Sequence, residues 1–266
     1  MSTQAKFSFL SNLAKKQNII LLSFILISPT CANADVHASI TGTNNNVDRW
    51  FSKSNSEWAI KADVDYEHSS GFYGGSKLGT IKFVRSEEDD ETNMPVGQPA
   101  AVEITPYVGY TYTFNNDWKL GTEVNRYIYT GDICGHPADY NEYYLIAHYQ
   151  DLVTAKASLA NDFWGTNHNV FNYETIARYP VTDYIDVSGG GGYSATRGAV
   201  GSDHAFWNAG FTYFYKIVSL DFRYMDATKF SVIGPNNGHM FMLPNKDAYE
   251  PPIIDSTFVF SVSAGI

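Results

Sequence analysis

The sequence predicts an all-β protein, a transmembrane up-and-down antiparallel β-barrel of about 12 strands. Its composition is 44% hydrophobic and 15% aromatic with only 17% charged residues, which is unlike that of a disordered chain. Apolar and polar residues alternate with period two in many segments. The connections between these segments alternate between short and long, as the turns and loops of outer-membrane barrels do.

The alternation is cleanest in five segments. In residues 58–68, apolar Trp58 and Ile60 oppose charged Lys61 and Asp63, so one face of the strand is apolar and the other polar. The same pattern marks 102–114, 153–160, 218–224 and 258–266. Weaker alternation predicts seven more strands, at 36–45, 72–83, 118–130, 140–149, 170–179, 185–194 and 204–215. The even total of twelve places both chain ends at one end of a barrel.

The connections between the predicted strands fall into two classes. Tight hairpin links are predicted at 69–71, 115–117, 150–151, 182–183 and 216, and we expect them to face the periplasm together with both termini. Longer segments are predicted near 51–57, 84–100, 131–139, 162–169, 195–203 and 226–255. Of these, 84–100 and 226–255 are expected to be long external loops. Segment 226–255 is also long enough to fold inward as a constriction.

Residues 1–34 have the pattern of an export signal. Three lysines precede an apolar core at 19–27, and Ala32-Asn33-Ala34 fits the A-x-A cleavage pattern. We therefore predict a signal peptide at 1–34 and a barrel at 35–266. Removing these three lysines from the 18 basic residues leaves 15 against 28 acidic residues, a net charge of −13. This acidic balance argues against a nucleic-acid partner.

The positions of the aromatic residues indicate which face points outward. Rings on the apolar face fall mostly toward strand ends, at Trp58, Tyr66, Tyr112, Phe114, Trp118, Tyr149, Tyr179, Trp207, Tyr213 and Tyr215. Rings that flank an aliphatic band are typical of the two membrane interfaces. We therefore expect the apolar face to contact outer-membrane lipids and lipopolysaccharide in a bacterial outer membrane. A secreted soluble β-protein, such as a lipocalin-like barrel, is the alternative fold.

Five short aromatic-rich motifs carry a family resemblance: Gly71–Gly75, Thr105–Tyr110, Tyr127–Gly131, Asn141–Tyr144 and Asn161–Gly165. Their order resembles the TorF-type porin family of proteobacterial outer-membrane proteins over nearly the whole mature chain. Two positions depart from that family, since Tyr129-Thr130-Gly131 replaces a Tyr-Pro-Gly motif and the last residue is Ile266 rather than an aromatic residue. The resemblance implies an outer-membrane barrel with a channel function.

Inward positions of the predicted strands are rich in charge, which points to an aqueous lumen. Twelve of them are predicted to line a pore: Lys61, Asp63, Asp65, Glu103, Glu123, Glu142, Lys156, Glu174, Arg178, Asp186, Asp221 and Arg223. The excess of carboxylates favours a narrow channel for small polar or cationic solutes. In the alternative interpretation, opposite charges pair across the lumen and fill it, because twelve strands enclose little space.

A receptor, a lipid hydrolase and a metal site in the loops are the alternatives to the channel. A non-conducting adhesin or receptor would act through the external loops. An outer-membrane lipid hydrolase would need a Ser and a His together at the outer rim, and no Ser stands in such a setting, so no enzymatic activity is predicted. Loop residues His136, His168, His204, His239 and Cys134 lack metal-motif spacing. No metal, other cofactor or oligomeric state is predicted.

The glycine run 188–192 is expected to let the barrel bend or a loop pack on its wall.

Overall fold

The computed structural model describes residues 34–82, 100–133, 137–231, 241–242, 248–249 and 256–266. Twelve strands form one closed antiparallel barrel, which confirms the predicted fold class and strand number. They are β1 (Ala34–Thr43), β2 (Ala59–His68), β3 (Phe72–Thr80), β4 (Val102–Thr113), β5 (Trp118–Tyr129), β6 (Tyr140–Tyr149), β7 (Val153–Asn161), β8 (Val170–Thr182), β9 (Ile185–Ala195), β10 (Ser202–Tyr215), β11 (Val218–Ser231) and β12 (Thr257–Gly265).

The barrel is closed by pairing of its first and last strands. β1 pairs with β12 from Ser39 opposite Gly265 to Thr43 opposite Ser261, and every other strand pairs with its neighbours in the chain. Closure leaves no free sheet edge, so the backbone groups of all twelve strands can be satisfied within the wall.

Strand β11 extends beyond the predicted boundary. The loop predicted to begin at 226 is wrong at its start, because the strand continues to Ser231 and Asp226 pairs with Trp207. Outward positions 226 and 228 of this extension are Asp and Thr. These polar residues replace the apolar outward residues of the rest of the strand, so the alternation disappears although the ladder continues.

The remaining described elements are short. The two-residue strands Val47–Asp48 and Phe51–Ser52 pair with each other, as do Phe241–Met242 and Ala248–Tyr249. A 3₁₀ turn spans Phe163–Gly165 and an α-helical turn spans Arg197–Val200. Within the described ranges, no helix has the length and apolarity needed to cross a membrane.

Several sequence-based expectations fall outside the described residues. These are residues 1–33 of the predicted signal peptide, the external loop at 84–100 up to residue 99, most of segment 226–255, and the side chains of Cys134, His136 and His239. The inward constriction expected from 226–255 therefore stays a prediction.

Short and long connections lie at opposite ends of the barrel, as predicted. The tight links 69–71, 114–117, 150–152, 183–184 and 216–217 share one end with both barrel termini, and we call it the turn end. The longer connections lie at the other end, which we call the loop end. The antiparallel order of the strands produces this arrangement without exception among the described connections.

The outer surface of the barrel is apolar. Mid-height outward positions carry exposed aliphatic side chains such as Ile40, Val64 and Leu145, the last 64% exposed. All ten predicted interfacial rings are exposed, and eight of them lie near the turn end, whereas Trp58 lies near the loop end and Trp207 lies mid-strand. Charged side chains of the same strands point inward. This orientation is the reverse of a soluble ligand-binding barrel, which keeps its apolar face inside.

Gly192 provides space inside the barrel for an aromatic ring. A Cβ atom at this position would lie 2.4 Å from Cζ of Phe206 and 2.5 Å from the backbone oxygen of Tyr173. The ring belongs to the neighbouring strand β10 rather than to a loop, so the expectation of a loop packed on the glycine run is wrong at this position. The glycine is needed because the inner wall and the ring approach each other closely.

We expect Gly192→Ala to lower the free energy of unfolding by about 1–3 kcal/mol, because the new methyl group overlaps fixed backbone. Gly42→Ala is the matched control, since a Cβ at Gly42 meets no atom within 4 Å, and we expect a change below about 0.5 kcal/mol. Urea unfolding of the refolded protein in detergent, followed by tryptophan fluorescence, measures both. Equal losses in the two variants would contradict this account of Gly192.

Candidate functional site

Residues 44–58, which we call the inner hairpin, connect β1 to β2, and their central part folds into the loop end of the lumen. Trp50, Phe51, Ser52 and Lys53 are all buried. The prediction of an ordinary long loop at 51–57 on the outside is therefore wrong. The segment enters the barrel because it carries apolar and charged side chains that find partners on the inner wall, and those partners are distant in the sequence.

Two backbone contacts hold the inner hairpin together and attach it to the chain beyond β3. The Lys53 N–H donates to the Asn46 oxygen at 2.7 Å, and the Lys82 N–H donates to the Lys53 oxygen at 2.7 Å. These bonds satisfy backbone groups that would otherwise be buried without partners. The hairpin is thus an ordered part of the barrel interior.

The tip of the inner hairpin has an unusual backbone conformation. Arg49 and Trp50 have φ angles of 44° and 86°, and they lie between the paired residues Asp48 and Phe51. Two-residue hairpin links with positive φ at both positions normally use Asn-Gly. Non-glycine residues in sparsely populated regions cost about 1–3 kcal/mol each, so side-chain contacts must hold this tip in place.

The Arg49 guanidinium supplies the strongest of these contacts. Its Nη1 lies 2.7 Å from Oε1 of Glu142, its Nε–H donates to Glu174, and its Nη2–H donates to the Tyr144 hydroxyl at 2.9 Å. Glu142 is fully buried. Hydroxyl and amide donors from Ser158 and Asn172 bind the same Oε1 at 2.5 and 3.1 Å, whereas Oε2 accepts no hydrogen bond from the described residues. Removing one partner of such a buried pair leaves an uncompensated charge.

Lys53 forms the second ionic anchor of the inner hairpin. Its ammonium lies 2.9 Å from Asp48 and 2.9 Å from Glu103 on β4. Burial lowers the pKa of Lys53, but these carboxylates raise it by more, so the pKa lies above its ordinary value. The pKa of Lys53 is thus higher in the folded state than in the unfolded state. The stability that its ion pairs contribute is therefore fully present below about pH 10 and is lost only as the pH rises through the folded pKa.

Five aromatic side chains, one of them from the inner hairpin itself, pack together in what we call the plug cluster: Phe51, Tyr127, Tyr140, Phe163 and Trp164. Tyr127 stacks on Tyr140 with ring centroids 4.5 Å apart, and Phe51 meets Trp164 edge-on at 5.3 Å. All five are buried. The connection 162–169, predicted as a long loop, contributes two of these rings. A small hydrophobic core therefore fills the loop end of the lumen.

His204 also holds the inner hairpin. Its Nε2–H donates to the Arg49 carbonyl oxygen at 3.0 Å, and its ring lies 4.6 Å from the Trp50 ring. The side chain is fully buried, so it is no external loop residue. Among the residues that the structure describes, no three His, Cys, Asp or Glu side chains are grouped as metal ligands.

A cavity of about 400 Å³ lies inside the barrel between the inner hairpin and the mid-height of the wall. We call it the lumen cavity. Six of the twelve predicted pore residues line it: Lys61, Asp63, Glu103, Glu123, Lys156 and Glu174. Four further charges line it as well: Asp48, Arg49, Lys53 and Lys77. The lining thus carries five carboxylates and five basic groups, so the acid excess inferred from the strands is absent here.

The other six predicted residues are distributed along the inner wall. Glu142 lies beneath Arg49. Asp221 and Arg223 form an ion pair at 3.1 Å on β11, and Arg178 lies 3.6 Å from Asp186 near the turn end. Asp65 lies on β2, nearer the turn end than Asp63. The twelve residues therefore do not form one site, and their role in lining a conducting pore stays a prediction.

Tyrosines on the inner wall were missed by the sequence analysis. The Tyr73 hydroxyl donates to Glu123 at 3.0 Å, and the Tyr107 hydroxyl donates to Asp63 at 3.4 Å. Tyrosine counts as an apolar residue when the faces of a strand are assigned from alternation, so these two inward positions were not recognised. The available signal was glycine, since each ring lies opposite a glycine on the adjacent strand, Gly109 for Tyr73 and Gly75 for Tyr107.

Several solved structures are similar to this chain at low sequence identity. The KdgM porin superposes with a TM-score of 0.48 at 7% identity, covering 86% of this chain and 98% of its own. The NanC porin gives 0.48 at 7% identity, covering 85% and 97%. The outer-membrane channel DcaP of Acinetobacter baumannii gives 0.37 at 11% identity, covering 88% and 98%. These likenesses concern the backbone and transfer no function.

Sequence comparison identifies a family and no characterised relative. No curated protein matches the chain. A family model described as a bacterial protein of unknown function (Gcw_chp) matches residues 29–245.

We expect Arg49→Gln to lower the free energy of unfolding by about 3–5 kcal/mol, because Glu142 would stay buried without its counter-charge. Glu142→Gln is made alone and in combination with Arg49→Gln. The free energy of unfolding of the double variant should fall by less than the sum of the two single effects, since the double variant removes both charges. Arg178→Gln is the control, because Arg178 is exposed and its ion pair is long, and we expect less than about 1 kcal/mol. Urea unfolding measures the four variants and the unmodified protein, and strict additivity would contradict the Arg49–Glu142 coupling.

Proposed function

Because the chain belongs to the Gcw_chp family of bacterial proteins of unknown function, we propose its role from its own geometry: an outer-membrane channel of low conductance for small polar solutes. The inner hairpin and the plug cluster restrict this channel at the loop end. The turn end faces the periplasm and the loop end faces the cell exterior, as in barrels with short periplasmic turns.

A single observation carries the proposal, namely an apolar outer wall around a charged interior. Leu145 and other aliphatic side chains are exposed on the outward face of the wall, together with many aromatic rings. A surface of this kind is unfavourable in water and favourable in lipid. The lumen cavity, in contrast, is lined by ten charged side chains, which require water or polar solutes around them. Outer-membrane lipids and lipopolysaccharide are the partners that fit the outer wall.

The inner hairpin acts as the gate of the proposed channel. Its two ionic anchors, Arg49 and Lys53, bind carboxylates on the barrel wall that can be hydrated if the hairpin leaves. The positive φ angles at its tip store strain that opposes docking. Docked and released positions are therefore separated by less free energy than the number of contacts suggests.

The balanced charges of the lumen cavity set the expected selectivity. Five carboxylates face five basic groups, so the wall produces little net potential and selects weakly between small cations and anions. We therefore favour small polar solutes over a specific preference for cations.

A non-conducting receptor is the second candidate function. The plug cluster favours it, because five buried rings fill the loop end of the lumen and external loops alone would then interact with partners. The two candidates differ in one measurable property, the passage of ions.

We expect purified protein in planar lipid bilayers to show small conductance steps. Replacing residues 45–56 with a short Gly-Ser linker should raise the conductance several-fold, because the linker cannot reach the inner wall at Glu142. Lys216→Gln, in the exposed link 216–217 at the turn end, is the control and should conduct like the unmodified protein. If neither the unmodified protein nor the linker variant conducts, the channel is excluded and the receptor is favoured.

The membrane location is tested by one outward substitution. Leu145→Arg should destabilise the barrel in lipid by about 2–4 kcal/mol, because it places a charge at mid-height of the apolar band. Tyr184→Arg at the turn end should cost less than about 1 kcal/mol, since it lies at the interface. Unfolding from lipid vesicles measures both variants. A Leu145→Arg variant that is as stable as the control would favour a soluble protein.

A further inference from the structure

The charged groups of the lumen cavity differ in whether they already have partners. Its carboxylates are all engaged. Glu174 binds Arg49, and Asp48 and Glu103 bind Lys53. The remaining two, Asp63 and Glu123, each accept one hydroxyl hydrogen bond, from Tyr107 and Tyr73, and keep their charge and further lone pairs.

Three lysines of the same cavity have no such partner. Among the described residues, no carboxylate lies within 4.0 Å of the ammonium groups of Lys61, Lys77 or Lys156. The Lys77 ammonium lies over the ring of Tyr107, 4.8 Å from its centroid. Lys61 and Lys77 project from β2 and β3, and Lys156 projects from β7. The cavity therefore offers free hydrogen-bond donors from two separate parts of its wall.

A buried acceptor lies in the wall of the same cavity. Asn125 is 4% exposed, and its Oδ1 accepts no hydrogen bond from any residue that the structure describes. An unsatisfied buried acceptor is costly, and native structures usually provide it with a donor from water or a ligand. Asn125 and Glu123 are on one face of β5, so acceptors cluster there.

We propose that the lumen cavity binds a small zwitterionic solute, one that carries a carboxylate and an ammonium group. The solute carboxylate is held by Lys77 or Lys156. Its ammonium donates to Asp63, Glu123 and the Asn125 Oδ1. The role of this site in uptake rests on the proposed channel function, whereas binding itself does not.

The charge balance favours a zwitterion over an ion of one sign. With five carboxylates and five basic groups in the lining, the cavity cannot concentrate an anion or a cation through its net potential. A zwitterion meets both sets of groups and brings no net charge into the barrel. A cavity of about 400 Å³ is within the range of small-molecule sites.

Saturation-transfer NMR on the full-length protein in detergent tests this binding without requiring conduction. The probes are β-alanine, propanoate and propylammonium, which share a short chain and differ in charge, with protein-free micelles as the blank. We expect the β-alanine signal to exceed the other two about fivefold, since it alone engages both sets of groups. Equal signals for β-alanine and propanoate, or no β-alanine signal above the blank, would overturn the proposal.

Variants locate the site within the lumen. Lys77→Met combined with Lys156→Met should reduce the β-alanine signal about fivefold, whereas Lys77→Arg should keep it. Lys119→Met is the control, because Lys119 is exposed and paired with Asp151, and it should leave the signal unchanged. A signal that survives the double substitution overturns the lysine assignment. Conductance without binding refutes the zwitterion site alone, and binding without conductance refutes the channel alone.

Discussion

The ion pair between Arg49 and Glu142 is the interaction on which the interior of the barrel depends. It joins the tip of the inner hairpin to a fully buried carboxylate on β6, while Glu174 on β8 binds the same guanidinium. Buried ion pairs often add little net stability, because desolvation offsets their attraction, yet leaving one partner alone is strongly unfavourable. The pair therefore specifies where the hairpin lies more than it stabilises the fold. The strained tip at Arg49 and Trp50 is tolerated only because this position is so strongly specified.

Polar and apolar contacts contribute in different ways to closing the lumen. The plug cluster excludes water at the loop end, where Phe51 reaches across to Trp164. The ionic anchors lie beside it, facing the lumen cavity. A wholly apolar plug would be permanent, and a wholly ionic one would be hydrated and loose. The combination gives a plug that is ordered but rests on charges that remain satisfied when they are exposed to water.

The strands could be predicted from the sequence because a barrel wall is encoded locally. Period-two alternation is a property of neighbouring residues, and it located all twelve strands. It failed at the end of β11, where Asp226 and Thr228 occupy outward positions that are apolar in the rest of the strand. The inner hairpin could not be predicted, because Arg49 and Glu142 are 93 positions apart and nothing in residues 44–58 marks them as inward. The predicted acid excess failed for the same reason, since Arg49 and Lys53 enter the lumen from a segment that was assigned to the outside, while Lys77 stands in a weakly patterned strand.

The order of the chain has a consequence for how the barrel is assembled. The inner hairpin connects the first two strands, but its partners are on β6, β8 and β10, which are synthesised later. The hairpin therefore cannot reach its final position until at least ten strands have formed a wall around it. Until then Glu142 and Glu174 stay hydrated, and no contact stabilises the strained conformation of the tip at Arg49. Insertion of the hairpin is thus a late folding step that requires a nearly complete wall. A barrel that closed with the hairpin outside would be a misfolded form with an open lumen.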